Sequence, residues 1–344
     1  MKVMVTGSTG YVGAYSVKAL LDVGHKVRLL VRDPAKAAAT LGALGLGKLE
    51  CVAGDMTDEA AVLKALKGCQ AVLHCAAVVS TDRKRADEMM QANPRGAELV
   101  VGHAARLGLD PIVYVSSVAA VLTPGATLLT ADMPIGPLES GYAKSKAAAE
   151  AYVRGLQDKG APVVITYPGS VTGPAAGDLR GEAAGGIAAN LKAGSLPTHD
   201  AAWSLIDVRD LGAIHAALMV KGQGPRRFMC GGHYLKMKEL AAVYHELTGR
   251  EFKLMNMSGA MLRGLGMAAD AISRIVPFDS VFTHEAMVCY TQSPPTDDSA
   301  VREELGLRYR KVSQTLRDAI LALHAAGQIS DEQAGKLAKA RRRR

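Results

Sequence analysis

Three groups of residues in this chain can do chemistry together. Gly7-x-x-Gly10-x-x-Gly13 follows an apolar run, Ser116-Ser117 follows another, and Tyr142-x-x-x-Lys146 comes next. A glycine turn between a strand and a helix aims backbone N–H groups at one spot. The helix dipole adds partial positive charge there, which suits a pyrophosphate. Gly7 allows the sharp turn, Gly10 lets the backbone approach a ligand, and Gly13 lets the helix pack closely on the strand. A tyrosine and a lysine four residues apart share one helix face. A phenol ordinarily titrates near ~10, and an adjacent ammonium lowers that value. Such a tyrosine can give or take a proton on a substrate oxygen. A serine at a strand end can donate to a carbonyl oxygen as charge develops on it. Taken singly, each has a bland reading, such as a serine that satisfies loop backbone or a pair on an exposed helix. Their order along the chain is what argues for one site.

The elements that must position these groups alternate through the first half. Strands are expected at 3–6, 26–31, 49–53, 71–74, 112–116 and 163–167. Helices are expected at 11–23, 34–44, 58–66 (capped by Thr57), 86–107 and 141–159. Short apolar strands alternating with helices imply an α/β fold, a doubly wound parallel sheet with helices on both faces. Ligands of such sheets bind at the C-terminal strand ends. The second half is less regular. It holds one helix within 174–198, helices at 207–220, 236–247 and 261–276, and a strand at 226–230. A turn at Pro294-Pro295 precedes helices at 299–305 and 313–325. In the 261–276 helix, Met261, Leu262, Leu265, Ala269, Ile272, Ile275 and Val276 fall on one arc, with Arg263, Asp270 and Arg274 opposite. That stripe predicts packing on the core; a substrate-pocket wall or a membrane-surface contact are the alternatives.

The 344 residues allow one large domain or two smaller ones. The net charge is +8, half of it in Arg341 to Arg344, a basic tail read as a solvated end. No aromatic-rich basic face accompanies it, so no nucleic acid is expected as a partner. Five scattered cysteines without a Cys-x-x-Cys pair argue for reduced thiols in a cytoplasmic protein. Neither they nor the histidines have metal-ligand spacing, so no metal is expected. No apolar stretch reaches the ~18 residues that span a bilayer. The only tryptophan, Trp203, reads as core, and His74 as the end of a strand.

Further motifs occur in the same order: Gly54-Asp55-Met56-Thr57-Asp58, His74-Cys75-Ala76-Ala77, Asn93-Pro-Arg-Gly96, Tyr167-Pro-Gly-Ser-Val-Thr-Gly-Pro174 and Asp207-Val-Arg-Asp210. With the glycine turn, Ser116-Ser117 and Tyr142-x-x-x-Lys146, they resemble the extended short-chain dehydrogenase/reductase family, the NAD-dependent epimerase/dehydratase group. The pattern is closest to its dihydroflavonol reductase and 3β-hydroxysteroid dehydrogenase branches. The resemblance covers residues 1–220 strongly and continues in Pro295-Thr-Asp-Asp-Ser…Glu304-Leu-Gly306. It implies a Rossmann fold with a smaller, mostly helical C-terminal substrate domain. It also implies Ser117 as the catalytic serine, ahead of Ser116, with Tyr142 as acid/base and Lys146 lowering its pKa and holding the nicotinamide ribose. Gly7, Thr9, Gly10, Tyr11, Val12 and Gly13 would form the phosphate turn. Asp55 and Met56 would border the adenine, Ala76 and Ala77 would line the cofactor, and Pro168 would begin the loop under the nicotinamide. Two positions depart from the family pattern: Pro94 follows Asn93, and Thr172 stands where sugar-nucleotide enzymes often carry a tyrosine.

Strand two ends in Arg32-Asp33-Pro34. An acidic residue there accepts the ribose hydroxyls of NAD, while an arginine accommodates the 2′-phosphate of NADP. Arg32 favours NADP over NAD, with Lys36 assisting; Asp33 pulls toward NAD or caps the next helix. The expected domains are residues 1–170, with 203–222 returning to them, a substrate domain of 171–202 and 223–330, and a tail of 331–344. The leading expectation is an NAD(P)H-dependent oxidoreductase that interconverts a secondary alcohol and a ketone or aldehyde on a mid-sized, fairly apolar small molecule. A nucleotide-sugar epimerase or dehydratase with tightly held NAD is the alternative; Arg180, Lys192, Arg226, Arg227 and Arg263 would then supply its diphosphate site. A non-catalytic cofactor-sensing protein is the third. By family analogy a homodimer would form through the Tyr142 helix and the long helix before it.

Overall fold

In a computed structural model, residues 1–80, 83–137, 141–197, 201–273 and 283–341 are described. The chain runs β1 (Lys2–Thr6), α1 (Tyr11–Asp22), β2 (Lys26–Val31), α2 (Pro34–Gly42), β3 (Glu50–Ala53), α3 (Glu59–Leu66), β4 (Ala71–His74), α4 (Ala86–Arg106), β5 (Ile112–Val115), α5 (Gly141–Gln157) and β6 (Val163–Pro168). It continues through β7 (Ser170–Thr172), α6 (Ala184–Ala193), β8 (Ser195–Leu196), β9 (Ala202–Asp207), α7 (Val208–Ala217), β10 (Arg226–Cys230), β11 (His233–Lys236) and α8 (Met237–Thr248). The last elements are β12 (Lys253–Leu254), α9 (Gly259–Ser273), α10 (His284–Gln292), α11 (Ser299–Glu303), α12 (Val312–Ala325), α13 (Asp331–Ala334) and α14 (Lys336–Arg341).

Seven strands form one parallel sheet in the order β10-β6-β5-β4-β1-β2-β3. Alternate residues point to opposite faces, so each strand feeds two cores. Val3, Val5 and Leu29 join the layer under α1 and α7, while Met4, Leu30 and Val72 join the layer under α4 and α5. A strand buried on both faces reads as continuous apolar sequence, which is why these strands are visible in the sequence. Chain order reverses at β1 and β4, and a crevice opens there at the C-terminal strand ends.

A smaller sheet, β11-β9-β7, sits beside the large one, with β9 parallel to β7 and antiparallel to β11. A third core gathers Ile187, Leu191, Leu205, Leu240, Tyr244, Leu316 and Ile320 from α6, β9, α8 and α12. Asp207 ties this region to the large sheet: it caps α7 at Arg209 N, takes the Arg209 guanidinium, and accepts from Thr315 Oγ1 at 2.8 Å. Asp210 likewise accepts from Arg310 N at 2.8 Å and from its guanidinium.

Several expectations need correction. Asp58, not Thr57, caps α3, accepting from Ala60 N and Ala61 N, because Thr57 is held back by Asp55. Most of the α9 stripe faces outward. Met261, Leu265 and Ile272 are 57%, 48% and 53% exposed, whereas Leu262 alone of the stripe is buried, on a face with Gly259, Gly266 and Asp270. Small residues win that face because α9 meets the start of α10 backbone to backbone. A Cβ at Gly266 would lie 2.9 Å from His284 N, and Asp270 Oδ2 accepts from that N–H at 3.0 Å. Ile275 and Val276 lie outside the described residues. So does much of the basic tail (residues 342–344); Arg341 ends helix α14.

Candidate active site

The glycine turn is built by close approaches. Gly7 has φ 76°, and a Cβ there would lie 2.6 Å from Ala76 N. A Cβ at Gly13 would lie 2.2 Å from Gly7 O, so α1 can press onto the turn only through hydrogen. Gly10 N donates to Gly7 O at 2.9 Å and closes the loop. Asp33 and Asp58 cap α2 and α3, but among the described residues no side chain caps α1. Its first-turn N–H groups therefore face the crevice open to a ligand. Ser8 in the turn has a buried Oγ without a hydrogen-bond partner among the described residues. Tyr11 turns its side chain inward; its hydroxyl donates to Pro174 O at 2.8 Å and clips the loop after β7 to α1. Thr9 and Val12 stay half-buried at the turn.

The end of β4 is held against this turn. Thr6 Oγ1 accepts from Ala76 N at 3.2 Å and shares a 2.7 Å hydrogen bond with His74 Nδ1. His74 stacks on Tyr114 at 5.8 Å. Burial, with the Lys146 charge as a lesser cause, pushes its pKa down to about 3, so the imidazole is neutral. Ala76 and Ala77 lie half-buried beside the turn. Asn93 secures the following residue: Val78 N donates to Asn93 Oδ1 at 2.7 Å, and Asn93 Nδ2 donates to Val78 O and Ser145 Oγ. Pro94 sits inside α4, which runs through it.

At the other end of the crevice, Asp33 accepts from Ala35 N and Lys36 N at 2.8 and 3.1 Å. Arg32 stands 83% exposed, with Nε 3.8 Å from Asp55 Oδ2. Asp55 Oδ1 accepts from Thr57 N and Thr57 Oγ1. Met56 lies against α4 where Gly96 leaves room; a Cβ there would come within 2.7 Å of its sulfur.

Near the centre, α5 carries Tyr142 and Lys146. Lys146 is 3% exposed. Its Nζ donates to Val115 O at 2.9 Å and sits 5.0 Å from the centre of the Tyr114 ring. Burial pushes the ammonium pKa down to about 8, opposed by the charges of Glu150, Cys75 and Glu182. Tyr142, one turn earlier, is half-buried and close enough to Tyr114 for their charges to interact. Ser117 accepts from Ala119 N at 3.2 Å and keeps its own proton to donate; the neighbouring Ser116 Oγ is buried and without a partner among the described residues. Pro168 ends β6 and is buried beside Cys230.

Sequence reasoning missed three groups here. Glu150, a turn beyond Lys146, was legible from its spacing. Glu182, between buried Gly181 and Ala183, left no signal in the sequence; desolvation raises its carboxyl pKa against the pull of the Lys146 charge. Cys75 is pushed up to about 12 by burial and is not a nucleophile. Trp203 lies on β9, a strand the sequence did not reveal, and packs against the third core as expected. It donates to Ser170 Oγ at 3.0 Å and meets Tyr290 of α10 edge-on.

Fold and site together define a class: a Rossmann-fold enzyme of the short-chain dehydrogenase/reductase kind, an oxidoreductase. The sequence profile of the NAD dependent epimerase/dehydratase family matches residues 3–231, and the chain belongs to that family. Sterol demethylase protein B of Methylococcus capsulatus is 27% identical over 334 residues, covering 96% of this chain and 100% of that protein. Cinnamoyl-CoA reductase 1 of Oryza sativa is 28% identical over 266 residues, covering 72% and 76%. A UDP-glucose-4-epimerase from Stenotrophomonas maltophila, solved with bound NAD, shares the fold with a TM-score of 0.74 at 18% identity, covering 96% of this chain and all of that one. Among the described residues no helix is long and apolar enough to cross a membrane.

Proposed function

We propose that the protein is an NADP(H)-dependent reductase or dehydrogenase that interconverts a secondary alcohol and its ketone, or an aldehyde, on a mid-sized apolar substrate. The observation that carries this reading is the meeting of the two spacings. The uncapped α1 turn, with Gly7, Thr9, Gly10, Tyr11, Val12 and Gly13, fits a pyrophosphate through backbone N–H groups and the orphan Ser8 hydroxyl. Asp55 and Met56 would border the adenine, and Ala76, Ala77 and Pro168 the rest of the dinucleotide. When bound, the nicotinamide supplies or accepts hydride at the substrate carbon. Ser117 donates to the carbonyl oxygen, and Tyr142 protonates that oxygen in reduction or deprotonates the alcohol in oxidation. Lys146, an ammonium below about pH 8, lowers the phenol pKa and faces the ribose.

Two details support NADP over NAD. Asp33 is committed to capping α2, and Arg32, 83% exposed with only a 3.8 Å contact to Asp55 among the described residues, would be available to a 2′-phosphate. The apolar substrate is supported by relatives named for sterol and cinnamoyl chemistry. The test is a panel of hydroxysteroids, aromatic aldehydes and their alcohols, followed at the nicotinamide absorbance with both cofactors. Tyr142→Phe should lower kcat/KM by roughly 10²–10⁴-fold with cofactor binding retained. Turnover unchanged in that variant refutes the mechanism.

A further inference from the structure

Lys146 is buried, and among the described residues its ammonium has one hydrogen bond, to Val115 O, and one ring face, Tyr114. An ammonium held so sparely sheds its proton unless a counter-charge is near. Glu150 lies one turn along the same face of α5 and is 0% exposed. Its Oε1 accepts from Arg154 Nε at 2.8 Å and from the Tyr167 hydroxyl at 2.5 Å. Arg154 is itself anchored on Met133 O and Tyr167 Oη. Glu150 Oε2 is buried and has no partner among the described residues. A carboxylate kept only for Arg154 would have both oxygens satisfied; here one lacks a hydrogen bond inside the layer that holds Lys146.

We infer that Glu150 is the buried counter-ion that keeps Lys146 in its ammonium form, a positioning residue acting through Lys146 on Tyr142. The other groups facing Lys146 do not replace it. Glu182 is the smallest of the charges acting on it, His74 is neutral, Cys75 remains a thiol, and Tyr114 and Tyr142 are phenols. Glu150 is the largest of the charges that oppose the desolvation of Lys146. Arg154 and Tyr167 hold the carboxylate in place from the side away from Lys146.

The inference rests on the catalytic reading of Tyr142 and Lys146, and its test needs no turnover. The ¹³Cε resonance of Lys146, assigned by its loss in Lys146→Arg, is titrated in the full chain. Glu150→Gln should lower the midpoint by about one pH unit or more, the size expected of a nearby opposite charge. Tyr167→Phe removes a hydrogen bond from the same cluster but no charge, and should leave the midpoint within about 0.3 unit, far below that charge effect. If Glu150→Gln does not fold, Arg154→Met decides: stripped of its cation, the carboxylate should raise the Lys146 midpoint. An unmoved midpoint in Glu150→Gln, a Tyr167→Phe shift of equal size, or an unmoved or lowered midpoint in Arg154→Met overturns the assignment. Failure of the redox reading would show instead as unaffected turnover in Tyr142→Phe.

Discussion

Replacing Arg32 with alanine tests the cofactor assignment at one atom group. The guanidinium is 83% exposed and its only ion-pair partner among the described residues is Asp55, at 3.8 Å. A hydrogen bond between charged groups contributes about 1.5–3 kcal/mol. At about 1.4 kcal/mol per tenfold, the loss corresponds to roughly 10–100-fold in affinity. Exposure argues for the lower half of that range; the freed Asp55 carboxylate, repelling a 2′-phosphate, pushes the other way. KM for NADPH should therefore rise about 10–100-fold in Arg32→Ala, while KM for NADH stays within about threefold. Steady-state kinetics with both cofactors at several salt concentrations measure this. In the unaltered protein the NADPH KM should climb with salt, because an exposed pair is screened within about 10 Å at 0.1 M; in the variant that dependence should weaken. Equal losses with both cofactors, or a native preference for NADH, would refute the reasoning.

Activity should fall on the alkaline side as pH rises through about 8, where the Lys146 ammonium is lost; Lys146→Arg should remove that limb from the kcat/KM profile. His74 and His215 are both buried and pushed to about 3. The unfolded chain takes up protons below about 6.5 that these folded imidazoles refuse, so stability is full above that pH and declines below it. Each contributes roughly 1.4 kcal/mol per pH unit down to its folded pKa, and urea midpoints at pH 7.5 and 5.5 should show a smaller gap in His215→Asn. Gly13→Ala should abolish dinucleotide binding and lower stability by about 1–3 kcal/mol, since its Cβ meets the backbone of Gly7. Gly96→Ala should be milder, because the atom in its way is the flexible Met56 sulfur; calorimetric titration with NADP would separate the two.

The parts of the fold legible in the sequence are those where backbone geometry constrains residue type. The seven-stranded sheet needs apolar residues on both faces, and its strands are visible within a residue or two. β7, β9 and β11 are different. Their residues include Ser170, Trp203, Ser204 and His233, half-buried and mixed in polarity, so neither a period of two nor an apolar run marks them. The α9 stripe misled for a related reason. Hydrophobic periodicity locates an apolar face but does not say that the face is inside, and Gly266, pressed on the backbone of Thr283 and His284, helps bury a different face. In the site, the glycine turn and the Tyr142–Lys146 spacing were readable because both are local. Glu182 was not, because it reaches Lys146 from a loop 36 residues away.

The choice between an apolar carbonyl substrate and a nucleotide sugar turns on what the basic residues of the second half are doing. A diphosphate needs cations that converge and are free to re-pair. Arg226 pairs with Glu304 and lies over Phe228, Arg227 donates to Gln157, Arg263 donates to Thr291, and Arg180 bonds Asp178 O. Each of these four has a local partner and their partners lie on different elements, though Arg180 Nε and Arg226 Nε are without a hydrogen bond among the described residues. Substrate choice follows from side chains that the shared fold leaves free to vary.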